Sequence, residues 1–148
     1  MTLDQLLTAA IGAEYTVHNE PFSLSGRADV TLDGGDVRHW LFDKDGGMLS
    51  VSPRDEEIVR FARLEEEVEP QGDTVAYGGK EYEFSYEDSG TVTDVDGDAD
   101  ADAEDRITFS EYESEDGEKL RIVTSENRGE TAVYLGNVVV EDDILPIE

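Results

Sequence analysis

Seven carboxylates crowd into the segment Asp94-Val-Asp-Gly-Asp-Ala-Asp-Ala-Asp-Ala-Glu-Asp105, with no cation among them. Alternating acids are the oxygen donors of a calcium loop, so divalent binding is the first chemistry this chain brings up. The register argues against it. With Asp94, Asp96 and Asp98 at the first, third and fifth loop positions, the sixth, where glycine is required, is Ala99, and the last is Asp105 in place of a bidentate Glu. No helical pattern flanks residues 94–105, and they read as a solvated, flexible hairpin loop.

Other chemistry-bearing residues are sparse. His18 and His39 are the only two histidines, and either would need a nucleophile or an orienting carboxylate within reach to act in catalysis. His39 precedes Trp40 in a strand-like stretch, so the two side chains point to opposite faces and an inward Trp40 leaves His39 outside. Among 38 acidic residues some pair falls at a glycosidase-like separation by chance alone, and nothing marks one carboxylate for a raised pKa. The Gly-Gly pairs follow Asp or Tyr at strand ends, where they serve as left-handed turn positions instead of a phosphate-cradling loop. Cysteine is absent, which excludes disulfides and thiolate metal sites. No catalytic, cofactor-binding or metal-ligating residue is therefore assigned, and no cofactor is expected.

Aromatic residues are the remaining candidates. Trp40, Tyr77, Tyr82, Tyr86, Tyr112 and Tyr134 could stack on nucleobases, but the basic residues that would track a nucleic-acid backbone are missing, so core and rim packing is expected. Tyr82, Phe84 and Tyr86 fall on one face of a strand, as do Thr108, Ser110 and Tyr112 on another. An exposed patch among them would be the place to look for a protein partner.

Strands must position these side chains. Leu, Ile, Val and Phe make up about a quarter of the chain, above the roughly 20% below which disorder is the default. Val, Ile, Thr, Tyr and Phe occur in short alternating runs separated by Gly and Asp, which favours strands. Residues 1–12 form the one helical pattern, with Leu3, Leu6, Leu7, Ala10 and Ile11 on one stripe, Thr2 and Gln5 as a capping box and Gly12 as a stop. Strands follow at 15–18, 22–32 with a bulge or bend at Gly26, 37–42 and 48–52, joined by the turns Asp33-Gly34-Gly35 and Asp45-Gly46-Gly47. Residues 56–68 fit two patterns: Ile58, Phe61, Ala62 and Leu64 approximate a helical face, while Val59 and Phe61 suit a short strand. An acidic connector around 65–72 divides the chain near its middle.

A second run of hairpins begins at residue 74. Strands are expected at 74–77, 80–86, 91–95, 106–113, 119–124 and 131–140, with turns at Gly78-Gly79, Ser89-Gly90 and Asp116-Gly117. About nine or ten strands in two hairpin groups, 13–69 and 74–147, give a mainly β fold. The expected architecture is an antiparallel β-barrel or sandwich with a short N-terminal helix, as one domain over 1–148. The two groups are similar in layout but carry no residue-level repeat.

A net charge of −27, with only three lysines (Lys44, Lys80 and Lys119), excludes a general attraction to phosphate backbones or anionic lipid heads. The acid excess persists outside residues 94–105 and is present in both halves of the chain. Such a surface repels itself in dilute buffer, whereas molar salt shortens the Debye length to roughly 3 Å. The composition thus reads as adaptation to a salt-filled cytoplasm, as in a halophilic archaeon, with an acidic nucleic-acid mimic as the rival explanation. No apolar stretch reaches the roughly 20 residues of a membrane span, and no basic region followed by an apolar run opens the chain. A soluble, cytoplasmic protein without membrane insertion or nucleic-acid binding is expected.

Six stretches of the second half form an ordered set: Tyr77-Gly-Gly-Lys-Glu-Tyr82, Glu87-Asp-Ser-Gly90-Thr-Val, Phe109-Ser-Glu-Tyr-Glu113, Leu120-Arg-Ile-Val-Thr-Ser-Glu126, Val133-Tyr-Leu-Gly136, and residues 140–144. In order and spacing over roughly 74–147 they resemble the proteins of domain of unknown function 4178. The first half resembles them more loosely, through Trp40-Leu41 and the glycine turn before residues 49–52. Two departures are Asn127, where members often carry an aromatic residue, and the acidity of 94–105. The resemblance implies a β-rich domain without assigned chemistry, and a strand within 56–68. Its members are commonly encoded near membrane-stress, phage-shock-like or polyamine-related genes. The expected function is a noncatalytic binding or adaptor module with an unknown protein partner. An enzyme acting on a small molecule is the alternative and the acidic mimic a third reading.

Overall fold

The computed structural model describes residues 1–147; Glu148, the last residue of the expected domain, lies outside the described residues. One short helix, α1 (Leu3–Thr8), precedes β1 (Glu14–Val17), β2 (Glu20–Leu32), β3 (Val37–Asp43), β4 (Met48–Ser52) and β5 (Glu57–Leu64). The second group holds β6 (Thr74–Tyr77), β7 (Lys80–Gly97), β8 (Arg106–Ser114), β9 (Lys119–Ser125), β10 (Glu130–Val139) and β11 (Ile144–Pro146). The strands run β2-β3-β4-β5-β10-β9-β8-β7, and an antiparallel pairing of β2 with β7 closes them into an eight-stranded barrel. β11 and β1 extend the sheet beyond β2, and β6 extends it beyond β7.

Strand alternation divides the apolar residues by face. Trp40 and Phe42 of β3 join the barrel interior with Val59 and Phe61 of β5, while their chain neighbours Leu41 and Ile58 join an outer cluster. Leu6 of α1 packs in that outer cluster with Tyr15, Phe22 and Leu49. A third cluster, of Val75, Tyr82, Tyr112, Leu120 and Val133, lies where β6 flanks β7.

Several sequence expectations change. The capping box of Thr2 and Gln5 forms, with Thr2 Oγ1 accepting from the Gln5 amide at 3.2 Å and Gln5 Oε1 accepting from the Thr2 amide at 2.9 Å. The helix nevertheless stops at Thr8, well short of Gly12. Arg27 of β2 explains the early stop: its guanidinium donates to the carbonyls of Leu7 and Ala9 and satisfies groups that another helical turn would have used. Residues 57–64 are a strand, because β5 is paired on both sides, with β4 and β10.

Ser89-Gly90 is not a turn. β7 runs through it for 18 residues, with Gly90 paired at once to Leu32 of β2 and Ile107 of β8. Glycine is needed there for close approach, since a Cβ at Gly90 would stand 2.5 Å from the Thr31 carbonyl oxygen. Gly26, expected at a bulge, lies at the register shift of β2 and faces the other end of β7 at Gly97. With β7 unbroken and β1, β5, β6 and β11 counted, the sheet has eleven strands, more than the nine or ten expected.

The two hairpin groups repeat at the level of elements. β1 and β6 are each four residues long, and each is followed by a two-residue turn with both residues in the left-handed region: His18 and Asn19 at φ 50° and 65°, Gly78 and Gly79 at φ 59° and 80°. Each turn leads into a long, bulged strand, β2 or β7, and then a three-stranded meander.

Candidate functional site

The barrel interior holds an ion pair. Glu111 of β8 and Arg121 of β9 are directly opposite across the Asp116-Gly117 hairpin, and both side chains are 1% exposed. Arg121 Nε and Nη2 donate to Glu111 Oε2 at 3.1 and 2.8 Å, and Nη1 donates to Ser50 Oγ at 2.8 Å. The guanidinium also lies over three rings, 4.6 Å from the centroid of Phe61, 5.0 Å from Phe109 and 5.8 Å from Trp40. Lys119 Nζ donates to Glu111 Oε1 at 3.1 Å, the Tyr86 hydroxyl donates to Oε2 at 3.1 Å, and Arg38 reaches Asp36 at 3.2 Å. Burial alone would raise the Glu111 carboxyl, but the charge and hydrogen bonds of Arg121, reinforced by Lys119, outweigh it and hold the group below the usual carboxylate range. Burial likewise opposes the charge on Lys119, and Glu111 more than offsets it, so the ammonium sits above its ordinary range. Both partners stay ionised near neutrality, and Glu111 has no proton to lend to chemistry.

Tyr86 reaches this network because of a register shift between Phe84 and Tyr86. Tyr82, Phe84 and Tyr86 were expected on one face. The bulge instead leaves Tyr82 in the β6-side cluster and packs Tyr86 against the barrel interior. Phe84 is 44% exposed, its ring in an edge contact with Tyr112 at 5.7 Å. On the opposite face of the same strand pair Glu81, Glu83, Ser85, Glu113 and Glu115 line an open depression of about 600 Å³.

The acidic segment closes one end of the barrel and is not a freely solvated loop. Asp94, Asp96 and Gly97 belong to β7, and only residues 98–105 lie beyond it. Ala99 and Ala101 pack against the interior cluster, while the alternate acids turn to arginines. Asp100 bridges Arg63 at 2.9 Å and Arg128 at 2.7 Å, and Asp102 takes Arg128 Nε and Nη2 at 2.9 and 3.0 Å. Arg128 holds Asp102 below the usual carboxylate range through those hydrogen bonds, and Asp102 and Asp100 raise Arg128 in turn. Asp105 is 1% exposed and accepts from Ser125 Oγ and the Asn127 amide. Among the described residues no three His, Asp or Glu side chains converge in a way that could hold a metal ion.

Beneath this segment lies a cavity of about 40 Å³ whose lining includes Trp40, Phe42, Arg63, Ile107, Arg128 and Tyr134. Trp40 is 4% exposed, and its Nε1–H has no acceptor among the described residues.

His39 lies on the outer face, opposite the buried Trp40, as alternation requires. It has the orienting carboxylate that sequence reasoning did not find: Nδ1 is 2.7 Å from Asp29 Oδ1. The signal was available, because counting back from the Asp33-Gly34-Gly35 turn places Asp29 opposite His39. His18 Nε2 lies 3.5 Å from Asp143 Oδ2 at an exposed corner. Among the described residues no helix is long and apolar enough to cross a membrane.

No curated protein and no solved structure matches the chain. A family model, described as Domain of unknown function (DUF4178), matches residues 10–141. That span takes in all eight strands of the barrel, the acidic segment that caps it and the ion pair within it, and the chain belongs to this family.

Proposed function

We propose that the protein is a noncatalytic binding module that docks a protein partner on the outer face around Phe84. The observation that carries this reading is the exposure of Phe84, an apolar ring left 44% accessible beside Tyr112 on the outer face. Its complement is an apolar socket, and the acidity of the chain as a whole favours basic surroundings on the partner. The charged groups of the interior support the same reading, since Glu111, Lys119 and Arg121 are paired with one another.

Capture of partners from the native host in molar potassium chloride tests it, with the wild type and Phe84→Ser as parallel baits. A partner retained by the wild type and lost by the variant, at an unchanged unfolding midpoint, is the expected result. Identical captures by both baits would discard the docking face.

The His39–Asp29 pair favours a second reading, an enzyme acting on a small molecule. Turnover of any small substrate that His39→Gln abolishes would put that reading first. The mimic reading is weakened by Asp100, Asp102 and Asp105, which engage groups of this chain instead of forming an outward row. A high-salt cytoplasm as the working compartment rests on the charge composition, and a role beside membrane-stress systems rests on the gene context the family resemblance implies.

A further inference from the structure

We infer that the barrel end beneath residues 98–103 is a binding site for a short-chain carboxylate such as acetate, and that this segment is its lid. Three observations converge there. The cavity of about 40 Å³ exceeds the roughly 10–15 Å³ that one water needs. Trp40 lines it, with its buried indole N–H lacking an acceptor among the described residues, and an unsatisfied buried donor is costly to keep. Arg63 and Arg128 line it too, and the Asp100 carboxylate bridges their guanidiniums while Asp102 holds Arg128 as well.

Asp100 is thus an internal stand-in for the ligand. An incoming carboxylate that replaces it between Arg63 and Arg128 exchanges one negative charge for another at that bridge. Its short apolar tail enters a space walled by Phe42, Ile107 and Val123, and Trp40 supplies the further donor. A long-chain acid does not fit the space.

The segment is built to lift. It runs between two left-handed residues, Gly97 at φ 67° and Glu104 at φ 69°. Its side chains toward the barrel are alanines, which fill the end incompletely. The pairs that fasten it are exposed, with Asp100 46% and Asp102 53% accessible, and such pairs stabilise little and are screened by salt. The far anchor is firm, because Asp105 is buried against Ser125 and Asn127.

Trp40 is the sole tryptophan, so its fluorescence reports the site directly. Potassium acetate titrated against potassium chloride at constant ionic strength is expected to give a saturable change in emission, and acetamide none. Arg128→Gln is expected to weaken half-saturation by about tenfold, the worth of one charge-assisted hydrogen bond. Asp100→Asn, which removes the internal competitor, is expected to tighten it. Ala101→Leu, which fills the cavity, is expected to abolish the response. Far-ultraviolet circular dichroism and the unfolding midpoint check each fold, and Asp100→Asn, an exposed and conservative change, keeps the test alive if Ala101→Leu does not fold. No saturable change, an equal response to acetamide, or an acetate response unaltered in both Arg128→Gln and Asp100→Asn would overturn the site.

Discussion

Glu111 and Arg121 stabilise the barrel only as a pair, because each makes the other's burial tolerable. Removing one strands a charge among Phe61, Phe109 and Trp40. Glu111→Gln is therefore expected to cost about 3–5 kcal/mol in denaturant unfolding, whereas replacing both residues by Leu and Met recovers most of it. The sign of the pH dependence follows from the depressed Glu111 pKa. Its contribution is present above the ordinary carboxylate range and is lost as pH falls through the lower folded value, so the acid limb of the stability curve flattens in the double variant. Lys119, whose pKa is raised, contributes below its ordinary value of 10.5 and ceases to do so as pH rises through the folded one. At this scale the sequence was legible wherever a turn was. Counting out from Asp116-Gly117 puts Glu111 opposite Arg121, as counting from Asp33-Gly34-Gly35 puts Asp29 opposite His39. What could not be counted is which face of the hairpin becomes the inside, since that depends on strands far away in the chain.

The long strands β2 and β7 show where element-level reasoning fails and why. Ser-Gly bounded by polar residues is good turn chemistry, and nothing local distinguishes it from a glycine demanded by a crossing strand. Gly90 is of the second kind. Gly90→Ala would press a methyl group onto the Thr31 backbone at the barrel's closing seam, and a loss of about 1–3 kcal/mol by chemical denaturation is expected. The same change at Gly34, where a Cβ meets nothing within 4 Å, serves as the control. The acidic segment departs from the expected solvated loop for a related reason. Its aspartates have the pattern of a solvated loop, while the alternating alanines carry the packing signal. Alternation of period two indicates one face turned inward even when the outward residue is charged.

For the molecule as a whole, the charge of −27 sets a condition on the solvent. Raising potassium chloride from about 0.1 M to about 1 M shortens the Debye length from roughly 10 to roughly 3 Å, and the unfolding midpoint is expected to rise with it. Full cooperative stability at low salt, with no gain in molar salt, would reject the halophilic reading. The two hairpin groups, legible as groups, conceal a further constraint. β2 to β5 come from the first and β7 to β10 from the second, and the two sets meet at both seams, β2 with β7 and β5 with β10. The β5 edge of the first set has its partner only in residues 133–139, so it stays bare until that later-made strand pairs with it. Glu65, Glu66, Glu67 and Glu69, placed directly after that edge, are suited to guard it: their mutual repulsion opposes edge-to-edge pairing between two copies whose second halves have not yet folded.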